Sequence, residues 1–304
     1  MSQNLPSEVP ERLVDIESLF ASKNPKLLRF IPKFILTYLK RIIHQEEVNG
    51  YIYRNRDKSG LPFVEAVLKE FGVKVEIRDK RDRSVDSSFQ TPDQGVIPSA
   101  GRFIVASNHP LGGLDGMALM QALGQFRSDI VFPVNDLLMN VPGLRPLFIP
   151  INKHGRNTEN ARLIDDTFAS GKTILYFPAG LVSRKQRING SYVIRDLEWK
   201  STFIKKARKY QRAIIPVYVE GRNSAWFYNL AMWRKRLGIN ANIEMLYLVD
   251  EMAKQFNKTI TLVVGDPVPY TTFDKSKTDA QWAEWMKEKV YVLSRQNCRQ
   301  PDPG

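Results

Sequence analysis

Five runs constrain the fold more than any other feature. DIVFPV, LFIPI, KTILYFP, AIIPVYV and TITLVVG carry apolar side chains at successive positions, without a polar alternate face. A strand of that kind must be covered on both sides, as happens inside a parallel sheet sandwiched between helices. Stretches of helical spacing fall between these runs, after Leu114 and at 158–170, 197–210, 243–255 and 278–295. Two further strands are expected: RFIVAS, which follows the long polar loop RDKRDRSVDSSFQTPDQGVIPSAG, and VKVEIRD at 73–79, which alternates like a half-buried strand. The pattern predicts an α/β fold, with a mixed, largely parallel sheet covered by helices on both faces.

At 304 residues the chain can bury one large core plus a small helical appendage. We expect a polar leader and an N-terminal amphipathic helical segment over 1–60, the main domain over 61–296 and a polar tail over 297–304. Asn24 and Pro25 read as cap and first turn, after which Leu27, Leu28, Ile31, Phe34, Ile35, Tyr38, Leu39 and Ile42 repeat at helical spacing. Basic residues flank that face, and two roles stay open for it. One is a helical hairpin packed on the main domain; the other is a membrane-surface helix whose Lys and Arg meet lipid headgroups. A span is not expected, because Arg29, Pro32, Lys33, Lys40 and Arg41 interrupt a run that would need roughly 18 apolar residues. Nor does the N-terminus show the basic-then-apolar order of a signal peptide.

The 45 Lys and Arg against 32 Asp and Glu leave a net charge of +13. That excess predicts an anionic partner: a phospholipid surface, an acidic carrier protein or a nucleic acid. A single cysteine, Cys298, excludes an intramolecular disulfide framework and a cysteine-rich metal site, and suits a reducing compartment.

The segment SNHPLGGLDG, at 107–116, joins the strand RFIVA to the helical pattern LDGMALMQAL and holds one of three histidines. Pro110 stops a helix from continuing through its own missing N–H, and Gly112 and Gly113 let the chain turn tightly. His109 and Asp115 therefore fall at a strand-to-helix turn. An imidazole can take a proton from an alcohol, and a carboxylate can fix its tautomer and steady the imidazolium. The spacing alone equally allows His109 to cap the turn and Asp115 the helix.

NHPLGGLDG resembles the first sequence block of the glycerolipid acyltransferase family, an asparagine–histidine pair with an aspartate a few residues on. VPGLRPLFIPINKHGR resembles the second block, LYFPAGLVSR the third and AIIPVYVEG the fourth, so the likeness spans 102–221 in order and spacing. It implies an O-acyltransferase that moves a fatty acyl chain from acyl carrier protein or acyl-coenzyme A to the hydroxyl of a membrane lyso-lipid. His109 would be the general base and Asp115 its orienting partner. Asn108, Gly112, Gly113, Lys153, Arg156, Pro178, Ala179, Gly180 and Arg184 would bind substrate. Backbone N–H groups near Gly112 and Gly113, or in the PAG turn, would meet the oxyanion. No bound cofactor, metal or nucleic acid is implied, and the protein would sit peripherally on the cytoplasmic face of the cell membrane.

Two departures from the family pattern bear on the acceptor. Five residues, Pro110 to Leu114, separate His109 from Asp115 where the family usually has four. That matches a branch of hemolysin-like acyltransferases and of enzymes that complete ornithine- or glycine-type lipids. Ala179 stands where the family carries a glutamate associated with glycerol-phosphate acceptors. Both point to a lyso-amino-acid lipid, with Arg184 as grip for its carboxylate; the general family pattern points to lysophosphatidic acid, and a non-catalytic basic membrane- or nucleic-acid-binding protein is the reading from another class.

Other signals carry less. SGKT at 170–173 lacks the glycine of a phosphate loop, because Asp166 occupies that position and the GKT enters a strand. No Gly-x-Ser-x-Gly elbow occurs, and nothing ties Cys298 to a histidine, so a covalent acyl-enzyme is not expected. His154 has no acid following it. Trp226, Phe227, Tyr228 and Trp233 beside Arg234, Lys235 and Arg236 suit either a membrane interface or a helix with core aromatics and a basic last turn.

Overall fold

The computed structural model describes residues 15, 17, 32–81, 83–85, 97–134, 136–151, 157–239 and 242–297. Leu27, Leu28 and Ile31 of the amphipathic segment, the cluster Lys153, His154 and Arg156, and Cys298 lie outside the described residues.

One seven-stranded sheet organises the chain, in the order β1-β9-β8-β2-β5-β3-β4. Its members are β1 (Lys74–Asp79), β2 (Phe103–Ser107), β3 (Ile130–Val134), β4 (Phe148–Pro150), β5 (Thr173–Tyr176), β8 (Ala213–Val219) and β9 (Thr259–Val264). All neighbours pair in parallel except β8 and β9. The mixed, largely parallel sheet expected from the sequence is therefore present. Between β5 and β8 the chain makes a separate antiparallel hairpin, β6 (Arg184–Ile188) with β7 (Ser191–Arg195).

Successive side chains of the central strands enter opposite apolar layers. Ile104 and Ala106 of β2, Ile174 of β5 and Ile214 of β8 join one; Val105, Leu175, Ile215 and Val217 join the other. The first layer is closed by Phe203, Ile204 and Ala207 of α6 (Thr202–Lys209) and by Trp282, Ala283, Met286 and Val290 of α9 (Asp279–Asn297). The second is closed by α3 (Leu61–Glu70) and α4 (Gly113–Gly124). α9 starts at a reciprocal cap: the Gln281 backbone N–H donates to Thr278 Oγ1 and the Thr278 N–H to Gln281 Oε1. The remaining helices are α1 (Lys33–Ile42), α2 (Gln45–Arg54), α5 (Asn157–Ala169), α7 (Ala225–Arg236) and α8 (Leu248–Ala253).

Arg212, fully buried, ties one edge of the sheet together. Its guanidinium donates to the carbonyls of Phe168, Phe103, Lys172 and Ser170, binding the C-terminal turn of α5 to the starts of β2 and β5.

Two expected helices differ in the structure, and a hairpin stands where no element was expected. The expected helix at 197–210 starts only at Thr202, because 196–200 is drawn into a turn. There the Trp199 indole N–H donates to Asp196 Oδ2 and the Lys200 N–H to the Pro178 carbonyl. The basic segment after Gly180 forms the β6–β7 hairpin, whose turn is Asn189-Gly190 with both residues at positive φ. The helix expected at 243–255 is a 3₁₀ turn over Ile243–Tyr247 followed by α8.

Candidate active site

β2, β5 and β8 run parallel, so their carboxyl ends share one edge of the sheet, where open α/β sheets place their sites. β2 ends at Ser107, and the next five residues build a turn that leads into α4. Asn108 locks that turn to the neighbouring strand. Its Nδ2 donates to the Val219 carbonyl at 3.0 Å and its Oδ1 accepts from the Val219 N–H at 2.7 Å. Asn108 is thus a buried bracket between β2 and β8.

Asp115, the third residue of α4, is completely buried and gathers four donors. Its Oδ2 accepts the Leu111 N–H at 2.8 Å and the Gly112 N–H at 3.2 Å, and its Oδ1 the Gly116 N–H at 2.9 Å. His109 Nδ1 lies 3.0 Å from Oδ2 and 3.1 Å from Oδ1. A carboxylate accepts and does not donate, so the proton between them belongs to Nδ1 and the Nε2 lone pair is left free. Nε2 has no partner among the described residues.

Gly112 makes this geometry possible. Its φ of 88° and ψ of −126° fall where a side chain is strained, and a Cβ there would lie 3.2 Å from Leu248 Cδ2. The five residues between His109 and Asp115 thus fold the chain back so that both side chains meet. The Gly112 N–H is committed to Asp115. Gly113 has open space where a Cβ would stand and begins α4, whose positive dipole end faces the turn.

The third block lies against the same histidine. Phe177 stacks on the imidazole, with ring centroids 4.0 Å apart and planes at 18°. Pro178, Ala179 and Gly180 form the turn that follows β5, and Gly180 adopts φ 62°. Ala179 is buried in the apolar layer with Ile104, Ala106 and Trp199, so a glutamate at this position would carry its carboxylate into hydrocarbon.

Beyond that turn the Ser183 N–H donates to the His109 carbonyl at 2.7 Å. Asp196 completes the clamp from behind: its Oδ1 accepts the His109 N–H at 3.1 Å and the Ser183 hydroxyl at 2.5 Å, and its Oδ2 the Trp199 indole. Burial pushes the Asp196 carboxyl above the usual carboxylate range, against the pull of these donors. Sequence reasoning missed Asp196, since an isolated acid after a basic stretch resembles any surface residue. The Asn-Gly pair at 189–190 was the available clue that a hairpin would carry it inward.

Arg184 requires a correction. Read from the sequence as the grip for a substrate carboxylate, it is buried at the start of β6 and pairs with Glu244 at 2.9 Å, while donating to the carbonyls of Val182 and Ser183. Glu244, wholly buried, also meets Arg234 Nε at 2.8 Å. Removed from water, the guanidinium needs a protein anion, and Glu244 supplies it. Glu244, in the 3₁₀ turn, therefore joins Arg184 of the β6–β7 hairpin to Arg234 of α7, and the Arg184 side chain is committed to that pair.

A fixed imidazole with one free nitrogen, beside a helix start at the carboxyl edge of a mostly parallel sheet, is an arrangement able to take a proton from a bound hydroxyl. The sequence carries the corresponding family signature throughout: the model of the acyltransferase family matches residues 18–298, and the chain belongs to that family. It is 46% identical over 283 residues to a lyso-glycine lipid O-acyltransferase of Bacteroides thetaiotaomicron, covering 92% of this chain and 97% of that protein. A second lyso-glycine lipid O-acyltransferase, from Phocaeicola vulgatus, is 45% identical over 283 residues, covering 92% and 95%. Among solved structures it matches the 1-acyl-sn-glycerophosphate acyltransferase PlsC of Thermotoga maritima, at a TM-score of 0.45 and 16% identity, over 88% of this chain and 95% of that one.

Proposed function

We propose that the protein transfers a fatty acyl group from a thioester, acyl carrier protein or acyl-coenzyme A, to the hydroxyl of a lyso-glycine lipid. The observation that carries this reading is the near-full-length identity to two enzymes of that name. The buried alanine at 179, which removes the carboxylate associated with glycerol-phosphate acceptors, supports it. Glycine itself offers only an amine and a carboxylate. An O-acylation therefore requires that the chain already amide-linked to the glycine nitrogen carry the hydroxyl.

In the reaction, His109 Nε2 takes the acceptor's hydroxyl proton as the oxygen attacks the thioester carbonyl carbon. The imidazolium so formed is held by Asp115. The tetrahedral oxyanion finds the helix start at Gly113, whose N–H is not committed to Asp115. The C–S bond then breaks, the departing thiolate receives the proton from His109, and an ester and a free thiol result. Lys153 and Arg156 remain candidates for donor contacts.

Side-by-side turnover of an N-(hydroxyacyl)glycine and lysophosphatidic acid, with the same long-chain thioester, tests the acceptor. The glycine-type lipid should be acylated faster. A preference for lysophosphatidic acid would mean that another group has taken the place of the missing carboxylate.

The same reading places the enzyme at a membrane surface, on the cytoplasmic face. No helix among the described residues is long and apolar enough to cross a bilayer. Large apolar side chains nevertheless stand in water on neighbouring elements: Phe34 of α1 is 72% exposed, Leu237 after α7 is 75% exposed, and Tyr38, Trp226 and Trp233 are about half exposed. Tyr38 and Tyr247 share a hydrogen bond at 2.8 Å, and Trp226 packs edge-on against both Tyr247 and Trp233, so these elements form one patch. The same helices carry exposed cations, Lys33 and Arg41 on α1 and Lys235 and Arg236 on α7. Apolar burial in the interface and about 1 kcal/mol per surface Lys or Arg would act together. The protein should sediment with anionic vesicles and be released by salt. Phe34→Ser with Leu237→Ser should weaken that binding without lowering the thermal midpoint; a lowered midpoint with intact binding would assign the patch to packing.

A further inference from the structure

A cavity of about 320 Å³ is lined by Ile194, Arg222, Asn223, Ser224, Ala225 and Tyr228. Both of its walls are tied to the catalytic turn. Ile194 stands two residues before Asp196, which holds the His109 N–H. On the other side Val219 is bracketed by Asn108, and Gly221 packs so closely on the catalytic turn that a Cβ there would lie 3.0 Å from Leu111 Cδ1.

Asn223 is only 4% exposed, yet neither its Oδ1 nor its Nδ2 has a hydrogen-bond partner among the described residues. Buried amides are almost always paired, because leaving one unpaired costs as much as a hydrogen bond is worth or more. Its surroundings are otherwise fully arranged. The Asn223 N–H donates to the Tyr228 hydroxyl at 3.0 Å, and burial pushes that phenol up to about 12, so it keeps its proton. Glu251 is matched by the Ser224 N–H and hydroxyl and by Lys254. Arg222 stands exposed at the rim without a carboxylate partner among the described residues.

We propose that this cavity is the headgroup subsite for the acceptor, with the Asn223 side chain pairing with the substrate's amide and Arg222 gripping its free carboxylate. The inference rests on the acceptor proposed above and specifies how it is recognised. A secondary amide presents one N–H and one C=O, the complement of a carboxamide's acceptor and donor. A planar guanidinium matches a carboxylate through two parallel hydrogen bonds. Buried Arg184, committed to Glu244, cannot serve that role.

The test compares initial rates of the full-length protein, Asn223→Leu and Arg222→Ala on an N-(hydroxyacyl)glycine and on its methyl ester. On the free acid, KM should rise about 10–100-fold in each variant, as expected when a buried or charged partner is removed. On the methyl ester the effect of Arg222→Ala should vanish while that of Asn223→Leu persists. The thermal midpoint of Asn223→Leu should hold or rise, since an unpaired amide has been replaced by hydrocarbon. If the native protein acylates the acid and both variants keep its KM, the subsite is overturned and the reaction stands. If the native protein does not acylate the acid at all, the proposed reaction falls and the subsite with it. Should Asn223→Leu fail to fold, Arg222→Ala on the two acceptors still decides, since equal KM changes on acid and ester would contradict carboxylate binding.

Discussion

Replacing Asp196 with alanine is expected to destabilise the protein by about 4 kcal/mol and lower its thermal midpoint by about 10 °C. Three buried donors converge on this carboxylate: the Ser183 hydroxyl, the Trp199 indole and the His109 backbone N–H. Alanine leaves all three without an acceptor, and an unsatisfied buried donor costs about 1–3 kcal/mol. The His109 main chain would also lose one of its two clamps, keeping only the Ser183 N–H on its carbonyl. Activity should therefore fall even at temperatures where the variant remains folded. Thermal unfolding and acyl transfer at 20 °C, measured on one preparation, check both effects. An unchanged midpoint would show that the hairpin positions His109 without Asp196.

The loss of activity would be indirect, which separates Asp196 from Asp115. Asp115 touches the imidazole itself, where the proposed reaction needs a carboxylate to support the charge that forms; Asp196 fixes the backbone that carries the imidazole. One function needs a carboxylate facing Nδ1, the other any buried acceptor in the right place.

The parts of the fold legible in the sequence were those set by short-range patterning. The doubly apolar runs specified strands buried on both faces, and the strands β3, β4, β5, β8 and β9 fall where those runs stand. His109, Asp115 and the intervening glycines read as a strand-to-helix turn because Pro110, Gly112 and Gly113 constrain the backbone locally. The acyltransferase family was likewise legible, from block order, and two departures at specific residues directed the reading toward a lyso-amino-acid acceptor of ornithine or glycine type. What the sequence hid depends on long-range pairing. Whether Arg184 meets a substrate or Glu244, 60 residues later, is decided by the packing of β6 against α7. Asp196 and Asn223 look like ordinary surface residues until the hairpin and α7 close around the catalytic turn. The exposed face of α1 was ambiguous for a related reason: helical spacing identifies an apolar stripe and leaves open what covers it.

The proposed reaction depends most directly on His109. With its side chain removed, the acceptor hydroxyl has no base, and a positioned general base contributes about 10²–10⁴-fold. The imidazole is partly exposed and its backbone bonds to Ser183 and Asp196 do not involve the ring, so His109→Ala should fold with little loss of stability. Mass spectrometric detection of the ester formed from an N-(hydroxyacyl)glycine and a long-chain thioester, by purified native protein and by His109→Ala at matched thermal midpoints, is the deciding measurement. The native protein should form the diacyl product, and the variant should fall by at least about 100-fold. Product formed by His109→Ala at the native rate would contradict general-base catalysis from this turn.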